Sequence, residues 1–138
     1  MKVPKMYQVL EEAKVIWEAN LELVDFCHIE GSLISNNLTP TTTAGSSLVT
    51  KAEYRLSKKT IPLIQAIKNH AHEANWLQTY STSEVGKDFS NRHCYFELIG
   101  PKGHFYNEKI RAFICYWGAH LNYKWHSHEA EEIYFVLG

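Results

Sequence analysis

The spacing of apolar residues changes once along this chain, and that change restricts the fold more than any other feature. In residues 6 to 28, Met6, Val9, Leu10, Ala13, Ile16, Trp17, Leu21 and Val24 recur three and four apart, which predicts one amphipathic helix with Gly31 as its stop. A second helix is predicted over residues 60 to 80, with Pro62 in its first turn, where a missing N–H costs little. From residue 92 onward the period becomes two. RHCYFELIG (92 to 100) is a short β-branched and aromatic run, PKGH (101 to 104) is a turn around Gly103, and KIRAFICYWG (109 to 118) alternates. Ile110, Ala112, Ile114 and Tyr116 share one face of that strand. Two further strand pieces are expected around residues 123 to 128 and 132 to 137. Helices first and an antiparallel strand series after is α+β order, not βαβ alternation. The expected division is a helical N-terminal extension over residues 1–91 and a β unit over residues 92–138, with a solvated loop, NNLTPTTTAGSS, inside residues 29 to 50.

Charge and composition exclude several function classes. The formal net charge is −1, so there is no electrostatic footprint for nucleic acid. No apolar run approaches the roughly 20 residues of a membrane helix, and Glu11 and Glu12 interrupt the N-terminus before a secretory apolar region forms. Cys27, Cys94 and Cys115 show no CxxC spacing, which fits free thiols in a reducing, cytoplasmic compartment. Aromatic residues are abundant, at 13%, and many fall after residue 92, as expected of a β core or a ring-lined pocket.

The segment YKWHSHEAEEIYFVLG (123 to 138) holds the chemistry-bearing residues. In a strand, positions i and i+2 point the same way, so His126 and His128 share a face, as do Glu132 and Tyr134. Two imidazoles one pleat apart can both reach one ion at roughly 2.1 Å, and the intervening residues let the Glu132 carboxylate return to it. Two nitrogens and a carboxylate suit Zn, Fe(II), Mn or Ni with positions left for substrate. The other HxH, His70 and His72, falls on a predicted helix, where i and i+2 do not face each other. It is read as surface. His28, His93, His104 and His120 have no spacing partner and are read as packed or exposed histidines.

HSHEAEEIYFVLG resembles the first motif of the cupins, small metal-binding β-barrels of the double-stranded β-helix or jelly-roll type. YFELIGPKG (95 to 103), RAFICYWG (111 to 118) and YKWHSHEAEEIYFVLG resemble the cupin dimethylsulfoniopropionate (DMSP) lyases of marine bacteria. The likeness covers residues 93 to 138 by motif and residues 1 to 92 by layout. It implies His126, His128 and Glu132 as metal ligands, Tyr134 as the catalytic base and Tyr123 as a second pocket tyrosine. Tyr123 is out of phase with His126 and reaches the same face only across a bulge. Trp125 and Trp117 are candidate ring faces for a sulfonium. The second cupin motif, with a fourth ligand His, is not in the sequence, so the expectation is a truncated barrel, the N-terminal part of a longer chain.

The implied reaction is metal-dependent β-elimination of DMSP to acrylate and dimethyl sulfide, catalysed by a carbon–sulfur lyase that takes a small-molecule substrate and could form a homodimer. The same ligand set also suits a cupin dioxygenase or isomerase, or a non-catalytic cupin that binds a small molecule. The helical extension is expected to pack rather than to take part in the chemistry.

Overall fold

The computed structural model describes residues 3–29, 33–78, 86–121 and 131–138. It confirms α+β order. Helix α1 (Tyr7–Ala19) buries Val9, Leu10 and Ile16, the one-turn α3 (Ser46–Val49) lies at the end of the expected loop, and α4 (Ile61–His70) buries Leu63, Ile64, Ala66 and Ile67 with Pro62 in its first turn. Strand β2 (His93–Ile99) pairs antiparallel with β4 (Ala112–Trp117), His93 lying opposite Trp117 and Phe96 opposite Ile114, with a register shift between Glu97 and Ile99. Two short strands, β1 (Ile34–Ser35) and β3 (Phe105–Tyr106), extend the sheet in the order β1-β3-β2-β4 among the described residues. One buried cluster joins Val9 and Leu10 of α1, Leu63 and Ile67 of α4, and Cys94, Phe96 and Leu98 of β2. Both helices therefore cover one face of the sheet. As expected, Ile110, Ala112, Ile114 and Tyr116 pack against that cluster.

Three expectations are corrected. The single helix over residues 6 to 28 is two, α1 and α2 (Leu21–Phe26), separated at Asn20. The Asn20 backbone is extended (φ −118, ψ 108), its side-chain amide donates to the Ile16 carbonyl at 2.6 Å, and its own carbonyl accepts from the Leu23 N–H at 3.0 Å. Asn competes for backbone groups in this way, and here it closes one helix and starts the next. The break swings Leu21 outward, to 73% exposure, while Leu23 is buried. The Trp17 indole N–H ties the end of α2 back through the Cys27 carbonyl at 2.9 Å.

The second helix ends at His70 rather than near residue 80. A 3₁₀ turn (Ala71–Glu73) follows, and the chain then runs extended, bridging Leu77 to Tyr95. Trp76 accounts for this: its indole N–H donates to the Ala71 carbonyl at 2.9 Å and its ring meets Phe96 edge-on at 4.9 Å, contacts a continuing helix would forfeit. The strand expected over residues 132 to 137 is also absent, because residues 131–138 have no regular secondary structure. The strand expected at residues 123 to 128 lies outside the described residues.

Two buried polar residues shape the sheet. The Glu97 carboxylate, 3% exposed, accepts from the Arg111 guanidinium (Nε at 2.7 Å) and from the Lys102 backbone N–H at 2.8 Å. This pins the turn after β2 to the start of β4, and a Cβ on Gly100 would lie 2.8 Å from the same carboxylate. His104 is buried edge-on against Phe96, its Nε2 accepting the Asn75 backbone N–H at 3.1 Å.

Burial, and then the charge of Lys5, push the His104 imidazole down to about 4, opposed by Glu73. The sign follows. Above about pH 6.5 both folded and unfolded His104 are neutral, so its contribution is complete. Below that pH the unfolded chain takes a proton that the folded chain refuses, and stability falls by about 1.4 kcal/mol per pH unit until the folded group titrates. His93, also lowered by burial, acts in the same direction. Urea unfolding at pH 7 and pH 5 should show a loss of about 2 kcal/mol, most of it removed in His104→Gln. Equal stability at the two pH values would refute the buried neutral imidazole.

Candidate active site

The sheet face opposite the α1–α4 core carries a line of ring contacts that leads to Tyr134. Because directly opposed residues share a face, His93 and Trp117, Tyr95 and Cys115, and Glu97 and Phe113 stand on it together. Ring contacts connect them. Phe89, on α5 (Lys87–Arg92), stacks on His93 at 4.8 Å, His93 meets Trp117 at 5.3 Å, and Trp117 meets Tyr134 in an edge-to-face contact at 6.1 Å. Tyr95 packs on Phe113 at 5.8 Å, and the Arg111 guanidinium caps Phe113 at 4.9 Å. Aromatic pairs of this geometry contribute roughly 0.5–1.5 kcal/mol each beyond their buried area. They make a stiff backing for whatever approaches Tyr134.

Tyr134 is 61% exposed, and its hydroxyl donates to Oε2 of Glu132 at 2.8 Å. A phenol and a carboxylate two residues apart thus form one hydrogen-bonded unit on the surface of the ring stack. Burial, and then the Glu132 charge, hold the Cys115 thiol up at about 12. Burial likewise raises Cys94 to about 12. Both are therefore protonated and unreactive. All three cysteines are free thiols, as their spacing suggested.

A cavity of about 360 Å³ opens between residues 19 to 23, at the α1–α2 break, and residues 133 to 135. Its size suits a small organic ligand. Tyr134 stands in its wall, as do Asn20 and Glu22. No local residue pattern signals that the helical segment reaches this place. The nearest signal was Asn20 within an otherwise regular helical period.

Of the residues singled out from the sequence, the structure brings together Trp117, Glu132 and Tyr134. Tyr123, Trp125, His126 and His128 lie outside the described residues. Among the described residues no three His, Cys, Asp or Glu are grouped to hold a metal ion. The donor chemistry of His126, His128 and Glu132 nevertheless fits a divalent transition metal, and the Glu132 carboxylate sits on the surface beside the ring stack. Among the remaining histidines, His70 is half-buried where a surface position was expected. His70 pairs with Glu73 and Gln8, His72 is exposed, His93 and His104 are packed, and His28 and His120 are exposed. Sequence reasoning missed Glu97, a buried carboxylate with a structural role. No helix among the described residues is long and apolar enough to cross a membrane.

Residues 38–138 match the family model described as dimethylsulfoniopropionate lyase. The chain is 29% identical over 134 residues to the dimethylsulfoniopropionate lyase DddQ of Ruegeria pomeroyi, covering 97% of this chain and 67% of that protein. A chain from the crystal structures of the DMSP lyases RdDddP and RnDddQII superposes with a TM-score of 0.86 at 32% identity, over 90% of this chain and 64% of that one. The crystal structure of DddQ from Ruegeria pomeroyi DSS-3 gives a TM-score of 0.77 at 24% identity, over 86% and 60%, which is a likeness of fold. The chain thus spans about two thirds of the length of these relatives.

Proposed function

Because the chain belongs to the dimethylsulfoniopropionate lyase family, we propose that it cleaves DMSP by β-elimination to acrylate, dimethyl sulfide and a proton, and that residues 92–138 begin a cupin jelly-roll barrel. One structural observation supports the chemistry: Tyr134, whose hydroxyl is hydrogen-bonded to Glu132, is among the residues lining a cavity of about 360 Å³.

In this reading His126, His128 and Glu132 would hold a divalent metal (Fe, Zn, Mn or Ni), which when bound supplies Lewis-acid stabilisation of the substrate carboxylate as charge builds on it. Tyr134, as phenolate, takes the proton from the α-carbon. The electrons of that C–H bond become the second bond between the α- and β-carbons, and the β-carbon–sulfur bond breaks with its pair leaving on sulfur. An ordinary phenol titrates near 10, so the base needs an environment that favours its anion. The 2.8 Å bond to Glu132 belongs to the neutral phenol and is given up when Tyr134 ionises, while Trp117 meets the ring edge-to-face from the side. In this reading Tyr123, Trp125 and Trp117 would be the ring faces offered to the substrate's sulfonium.

Proton NMR of the reaction mixture tests the reaction type. The account expects one acrylate for each dimethyl sulfide released. Formation of 3-hydroxypropionate in place of acrylate would replace elimination by displacement with water.

A further inference from the structure

The helical extension does more than cover the sheet. Its break at Asn20 forms one side of the cavity whose other side carries Tyr134. Of the described residues lining that cavity, Ala19, Leu21, Leu23, Ile133 and Phe135 are apolar, Asn20 and Tyr134 are polar and neutral, and Glu22 is acidic. Asn20 commits its side chain to the Ile16 carbonyl and its backbone carbonyl to the N–H groups of Leu23 and Val24, which fixes the turn on which Glu22 sits.

The substrate in the proposed reading is a zwitterion. Its carboxylate end and α-carbon are claimed by the metal ligands and Tyr134. Its sulfonium lies two bonds from the α-carbon, so a substrate whose α-proton is at Tyr134 keeps its positive sulfur near that residue, in a cavity that Glu22 also lines. A cation there is attracted by the acidic side chain in the wall, and a neutral thioether is not.

Resting on the DMSP reading, we infer that Glu22 is a substrate-positioning and specificity residue: its carboxylate attracts the sulfonium from the helical side of the cavity and selects a cationic leaving group. The attraction acts through an exposed carboxylate, so its effect is moderate and salt-dependent.

The test is steady-state kinetics of dimethyl sulfide release with DMSP, using the metal-supplied protein. Glu22→Gln should raise KM about fivefold with kcat changed less than about twofold. Glu22→Asp should fall between it and the parent. Added salt should raise the parent KM and barely move that of the variant. Asp25→Asn, an exposed acid on the same helix and not in the cavity wall, should leave both constants as they are. In a protein that turns DMSP over, an unchanged KM and salt response in Glu22→Gln would overturn the assignment. No dimethyl sulfide from the parent protein would overturn the substrate reading itself, and this inference with it.

Discussion

Tyr134→Phe should lower kcat for dimethyl sulfide release by about 10²–10⁴-fold, the usual contribution of a positioned general base. The substitution removes one oxygen and nothing else. The ring that meets Trp117 at 6.1 Å remains, and the residue is exposed, so no buried polar group loses its partner. Stability should stay within about 0.5 kcal/mol. KM should move little, because the account assigns substrate affinity to other groups: the metal ligands for the carboxylate, the rings and Glu22 for the sulfonium. A large fall in kcat with an intact melting curve and near-constant KM is the signature of a group used in the transition state and not for ground-state binding. Parent activity in Tyr134→Phe would remove Tyr134 from the role of base. Raised KM with full kcat would make it a binding residue.

The fold was legible where local period and burial agree. The aromatic run at residues 93 to 99 and the alternating residues 112 to 117 form the antiparallel pair on which the sheet is built. It was not legible where one residue settles a local competition. Asn20 sits in unbroken helical spacing, and its side-chain bond to Ile16 divides the helix. Trp76 ends helical structure early because its ring and N–H are satisfied by Phe96 and Ala71, a tertiary gain that no local pattern displays. Glu97 occupies a strand position on the face opposite the core, where an acidic residue suggests exposure. Its burial depends on Arg111 and the Lys102 N–H arriving from the next turn and strand.

The site was legible as chemistry more than as architecture. The i and i+2 spacing of Glu132 and Tyr134 led to the expectation that both side chains serve one place, and they form one hydrogen-bonded unit, although the segment is not a strand. Trp117 was singled out as a ring, and it contacts Tyr134. The cavity wall supplied by residues 19 to 23 was not legible, because it arises from the packing of segments more than a hundred positions apart.

Loss of a metal ligand should have an effect at least as large as loss of the base. The donor set proposed from this chain is two imidazoles and one carboxylate. Removing one imidazole leaves a site that holds a divalent ion far more weakly, and the carboxylate charge that develops during α-proton removal then loses several kcal/mol of stabilisation. His126→Ala should therefore retain less than about 1% of parent activity. Chelation should do the same to the parent, with recovery when metal is returned. The lyase reading also requires no oxygen, which separates it from a cupin dioxygenase using the same ligands. The decisive measurement is headspace dimethyl sulfide from DMSP under nitrogen, from metal-supplied parent protein beside His126→Ala and chelated parent. The account predicts release by the parent alone. Release that persists in His126→Ala after chelation, or that appears only when oxygen is admitted, would contradict it.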